Sequence, residues 1–190
     1  MKKILGLTIA VLLSIGMVGI GTWAYFSDAE TSTGNVLTAG TLDLKTNDVD
    51  GVSQTLLAAN MEPGDTIGPE TIILKNAGST VGSTLDLTFT YLEGDASSNP
   101  LNKSADDTAA MIEIITLKYD GSSLLASVMD NNTNGYRDIQ DLANTDLSSQ
   151  SGIDALASKE FEIAIKARDS IGSDYQADGI TVTMTFTLKQ

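Results

Sequence analysis

Between residues 130 and 141 the chain reads DNNTNGYRDIQD. With Asp130 as position 1, side-chain oxygens fall at positions 1, 3, 5, 9 and 12, on Asp130, Asn132, Asn134, Asp138 and Asp141. Gly135 stands at position 6, where a calcium loop of the EF-hand type turns sharply, and Tyr136 at position 7 offers a backbone carbonyl. Calcium is therefore the cofactor expected, held weakly, in the range of about 0.1–1 mM that suits extracellular sites. Two features depart from that pattern. Asn132 and Asn134 replace carboxylates, and Arg137 occupies position 8, where an apolar residue normally packs. The plainer alternative is an Asn/Gly-rich surface turn leading into a short helix at Asp138.

Other chemistries find little to work with. The 190 residues contain no histidine and no cysteine, which removes the commonest general base, the usual zinc ligands and any thiol nucleophile. No His-Glu-x-x-His helix exists, and no histidine can activate a serine. Carboxylate pairs occur in turns, as a highly acidic surface produces them by chance, and do not single out a glycosidase. The chain is therefore expected not to be an enzyme. Twenty-five acidic against 11 basic residues give a formal charge of −14, a field that repels nucleic acid and attracts cations or basic partners. Hydrophobic residues make up 42%, enough for a folded core in one domain. The tripeptides NKS at 102–104 and NNT at 131–133 fit the glycosylation sequon but occur readily by chance in such loops.

The elements that must position the loop are strands. Residues 84–92, TLDLTFTYL, put Leu85, Leu87, Phe89 and Tyr91 on one face and threonines and Asp86 on the other. Residues 180–189 alternate in the same way, with Ile180, Val182, Met184, Phe186 and Leu188 facing one side. Weaker strands are expected at 40–46, 52–58, 71–75, 111–119 and 160–167. Asp120–Gly121 favours a tight hairpin turn into a short strand at 123–126, and the EPGD of 62–65 forms another turn. Helix is scarce: residues 104–110, and a turn or two after Asp138 and after Ser151. Seven or eight strands with these turns imply an all-β sandwich of jelly-roll type.

The N-terminus reads as an export segment. Lys2 and Lys3 precede a run without charge over residues 4–20, interrupted by glycines. Thr22 and Ala24 then supply small residues for cleavage between Ala24 and Tyr25. An uncleaved anchor is the alternative, but no basic cluster follows the run before Lys45. Residues 1–24 are expected to be a signal peptide, 25–38 a separate N-terminal segment and 39–190 the sandwich domain. The protein is expected to be secreted, to the extracellular matrix or cell surface.

GTWAYFSDAETSTGNVLTAGTLDL at 21–44 resembles the start of the camelysin and TasA-like proteins of bacterial biofilms and archaeal fibres. MEPGDTI with ILKNAGST, at 61–80, and the closing YQADGITVTMTFTLKQ are similar to that family's turn, loop and last strand. Residues 94–159 depart from it. The resemblance implies a jelly-roll subunit exported through a dedicated signal peptidase and polymerised head to tail with itself, alongside other matrix proteins. In such fibres the N-terminal segment of one subunit adds as a strand to the next, a role that would fall here to 25–38, with Tyr25, Phe26, Val36 and Leu37 as its apolar side chains. The segment suits strand addition on its own terms, having β-formers but too few apolar residues to fold alone. The alternative is a segment that folds back on its own domain or stays a mobile tail. The camelysin branch also implies a rival activity, a secreted metallo-endopeptidase. A third reading is a calcium-binding surface accessory protein that does not polymerise.

Overall fold

The computed structural model describes residues 40–51, 53–59, 61–94, 103–175 and 178–190, all within the second of the two units, 1–38 and 39–190, into which the chain divides. The expected cleavage point between Ala24 and Tyr25, and the expected donor residues Tyr25, Phe26, Val36 and Leu37, lie outside the described residues.

Two antiparallel sheets face each other across one core. The first carries, in spatial order, β2 (Val49–Asp50), β1 (Leu44–Thr46), β4 (Thr66–Asn76), β9 (Ser158–Ala167), β6 (Ile112–Tyr119) and β7 (Ser122–Ser123). The second carries β3 (Ser53–Ala59), β10 (Gly179–Lys189), β5 (Thr84–Glu93) and β8 (Leu147–Ser151). The all-β sandwich read from the sequence is the observed class, with two short helices, α1 (Ala105–Ala109) and α2 (Ile139–Ala143). No helix among the described residues is long and apolar enough to cross a membrane.

The period-two pattern does what its physics requires. Leu85, Leu87 and Phe89 on β5 and Ile180, Val182, Met184 and Phe186 on β10 are buried, opposite Phe161, Ile163 and Ile165 of β9. Phe161 joins the sheets, its ring centroid 5.3 Å from that of Phe186 in an edge-on arrangement and 6.1 Å from that of Phe89. Truncating such a fully enclosed ring to alanine costs about 3–5 kcal/mol.

Two stretches far apart in sequence, 41–43 and 76–80, are bound to each other. Ala77 N donates to Asp43 O at 2.7 Å and Thr80 N to Thr41 O at 3.1 Å. Asn76 is fully buried and closes the loop, donating to Thr80 O and Ile153 O and accepting from Gly78 N. A Cβ on Gly78 would run into Thr41 O, so the glycine permits the two backbones to meet. The NAGST loop is thus a clamp on the entry to β1.

The turns follow their residues. Asp120 (φ 50°) and Gly121 (φ 74°) are both left-handed, as the hairpin joining β6 to β7 requires. The strand expected at 123–126 is shorter and earlier: only Ser122 and Ser123 pair, and Leu125–Ser127 winds into a 3-10 turn. The sequence also misses β2 and β8, because LSSQS carries too little apolar alternation to read as a strand. By contrast, the helix expected at 104–110 is present from cap to cap. Ser104 and Asp107 form a reciprocal capping box around α1.

Candidate functional site

The loop of 130–141 links a 3-10 turn to α2, and its oxygens are occupied from within the protein. Asp130 sits at the surface, its carboxylate accepting from the backbone N–H groups of Asn134 (3.0 Å) and Gly135 (2.9 Å). Thr133 (φ 57°) and Gly135 (φ 88°) take the left-handed conformations that bend the chain around it. Asp138 is the N-cap of α2 and Asp141 its third residue, so the two form a capping box: Asp141 N donates to Asp138 Oδ1 at 3.0 Å and Asp138 N to Asp141 Oδ2 at 3.3 Å. Both carboxylates are fully buried. Asp141 Oδ1 also accepts from Asn131 N at 2.8 Å.

The cation in this loop is a side chain. Arg168, just beyond β9, places Nη2 2.9 Å from Asn134 Oδ1 and 2.8 Å from Asp138 Oδ2. Its guanidinium lies over the Tyr136 ring, 3.9 Å from the ring centre. Asn132 Nδ2 donates to Asp138 Oδ2 at 3.2 Å and Gln140 Oε1 at 2.8 Å. Asn134 Nδ2 donates to the same Asp138 oxygen at 2.8 Å. A calcium loop presents amide oxygens inward; here Asn132 and Asn134 turn amide nitrogens toward Asp138. Arg137, at the position that departs from the calcium pattern, donates from Nε to Val128 O at 2.9 Å and ties the loop to its own base. Its carbonyl accepts from Ile114 N at 2.8 Å, which fastens the loop to β6.

The structure therefore gathers Asn132, Asn134, Asp138 and Asp141 around one buried centre, leaves Asp130 at the rim, and uses Tyr136 through its ring. Arg168 and Gln140 are the participants that sequence reasoning missed. Gln140 lay inside the motif, but a 30-residue separation between Asp138 and Arg168 left no local pattern to detect.

A second feature lies at the margin of the other sheet. Among the described residues nothing pairs with the outer side of β3, whose seven residues, SQTLLAA, contain no charge and no proline. The remaining sheet margins are protected. β2 and β7 are two residues long, and β8 pairs irregularly with β5 between Leu85 and Leu87, with Ser149 at φ 60°.

A two-sheet β-sandwich with an uncharged margin that no described strand pairs, and an acidic loop that meets Arg168 within the fold, is the class of protein that these features define. The family model described as camelysin metallo-endopeptidase matches residues 1–190, and the chain belongs to that family. No curated protein matches the sequence.

The family's description implies a metal, and the described residues do not fit one. They bring no three acidic side chains into a group that could hold a metal ion, and the whole chain has no histidine or cysteine to complete a set. Asp130, Asp138 and Asp141 each spend their oxygens on backbone N–H groups, amides or Arg168. Zinc bound by carboxylates alone would be poorly selected over other divalent ions.

Proposed function

We propose that this protein is a secreted structural subunit that polymerises into extracellular or biofilm-matrix fibres. Residues 25–38 of one copy, freed when a dedicated signal peptidase cuts after Ala24, add as a strand to the sheet of the next copy. The observation that carries this reading is the open side of β3. A seven-residue margin with no charge, proline or bulge is what folded proteins normally avoid, because its unpaired N–H and C=O groups accept any free strand. In a chain of charge −14 the absence of a charged residue from β3 supports a margin kept for pairing. Such head-to-tail contacts do not close on themselves and so produce filaments.

The test is deletion of 25–38. The strands β5 and β10 lie outside the deletion, so the sandwich should keep its circular dichroism while electron microscopy finds no filaments. A synthetic peptide of 25–38 in excess should cap β3 and inhibit assembly of intact chains. Filaments formed at normal rates by the truncated protein would rule the mechanism out. N-terminal sequencing of extracellular material should begin at Tyr25.

The family description favours a second reading, a secreted metallo-endopeptidase. Casein digestion by a purified sample, abolished by a chelator and restored by a divalent metal, would establish it against the structural role.

A further inference from the structure

The two outer faces of the sandwich differ in kind. On β9 the outward side chains include Glu160, Glu162 and Lys166, and Lys118 of β6 lies beside Glu162 in register, 3.0 Å away as an ion pair. The outer face of the other sheet carries no charge over three consecutive rows of its three longest strands. In register, Ser53, Thr185 and Thr88 form one row, Thr55, Thr183 and Thr90 the next, and Leu57, Thr181 and Leu92 the third. Leu57 is 57% exposed and Leu92 73%, so no described residue covers the two leucines of the third row. The first charge appears one row further along, where Asp86 and Lys189 pair at the strand ends.

We infer that this threonine–leucine face is a contact surface for a second copy of the chain, packed sheet on sheet about a two-fold axis. Charge selects the occupant. Each copy carries −14, so two copies approach at least cost where neither presents an acid. A basic partner would be drawn to the acidic surfaces instead. The rows hold no aromatic side chain, so a sugar or base finds no ring on which to stack. Threonine methyls and leucines offer apolar contact and the hydroxyls pair across it, as Ser53 Oγ and Thr185 Oγ1 already do within one copy at 3.3 Å.

The face covers roughly 300 Å² per copy by ordinary sheet spacings, against the roughly 800 Å² per partner of a standard stable interface. Pairs formed through it are therefore short-lived in dilute solution, and it acts where another contact already holds copies side by side. It does not depend on strand addition, since it uses the face of the sheet and not its margin.

Irreversible cross-linking accumulates such transient pairs. The chain has no cysteine, so Thr183→Cys in the full chain introduces a single thiol at the centre of the face. A bis-maleimide spanning about 10 Å, the usual spacing of stacked sheets, should link Thr183→Cys into dimers several-fold faster than it links Thr71→Cys on the opposite sheet. Adding Thr90→Lys should abolish the difference. That change lowers the net negative charge, so general electrostatics would raise cross-linking where the face contact predicts its loss. Equal rates at Cys positions 183 and 71, or faster linking with Thr90→Lys, would overturn the inference.

Discussion

Arg168 Nη2 lies 2.8 Å from Asp138 Oδ2, with the Arg168 side chain 7% exposed and that of Asp138 not exposed at all. The pair connects the end of β9 to the N-cap of α2 and so locks the excursion between β7 and β8 onto the sandwich. Two buried ions repay their desolvation only while each keeps its partner.

Removing one ion should therefore cost far more than a surface bridge. Arg168→Ala should lower stability by about 3–5 kcal/mol in urea denaturation, because Asp138 is left charged, buried and without its cation. Lys118→Ala, which breaks the part-exposed pair with Glu162, should cost at most about 1 kcal/mol. Arg168→Lys should recover only part of the loss, since an ammonium cannot keep both Asn134 Oδ1 and Asp138 while stacking as a planar group on Tyr136. Similar losses from Arg168→Ala and Lys118→Ala would show that the buried pair contributes nothing special.

Calcium bound by the loop of 130–141 would need the oxygens that Arg168 and the two asparagine amides already engage. Any calcium binding by the loop of 130–141 must displace the guanidinium and turn Asn132 and Asn134 over. Millimolar calcium should raise the melting temperature of Arg168→Ala, relative to its own calcium-free form, more than that of the parent protein, because a ligand specific to the folded state stabilises it. Adding Asp130→Ala and Asp141→Ala should abolish the increment. An increment that survives both changes would mark diffuse screening of an acidic surface.

Alkali should loosen the sandwich through its tyrosines. Burial, and then the hydrogen bond to Asp106, push the Tyr91 hydroxyl up to about 12, and burial also raises Tyr119. An unfolded tyrosine ionises near 10. Between those values the unfolded chain loses a proton that the folded one keeps, so this contribution is intact below about pH 10 and falls as pH rises toward about 12. Tyr91→Phe should flatten the fall in melting temperature over that interval. An unchanged slope in the variant would assign the alkaline loss to other groups.

The open side of β3 can be probed with proline, which removes one N–H and sits badly in a paired strand. Successive amides in an antiparallel strand point to opposite sides. Of Gln54→Pro and Thr55→Pro, one should therefore strike the pairing with β10 and lower stability. The other should leave the fold nearly intact and block filament growth, as seen by electron microscopy. If both variants unfold, or if neither impairs filaments, pairing at this margin is not what joins the copies.

Much of the fold was legible in the chain because it rests on local rules. The alternation of 84–92 and 180–189 dictates which side chains are buried, and Asp-Gly at 120–121 can make only a tight left-handed turn at low cost. Ser104 with Asp107, and Asp138 with Asp141, announce helix starts through spacing alone. The strands that sequence reading missed, β2 and β8, are short and polar and exist because a neighbouring strand offers hydrogen bonds, which no pattern within LSSQS reveals. The loop of 130–141 shows the division most sharply. Its oxygens and its glycine are sequence properties, and they suit a metal. That a side-chain cation reaches them is a matter of packing, since β9 delivers Arg168 from 30 residues away to Asn134 and Asp138. Likewise the threonines of β5 and β10 were always visible as the outward half of an alternation. Only pairing in register with β3 merges them into one uncharged face, because side-by-side adjacency of strands is a tertiary fact.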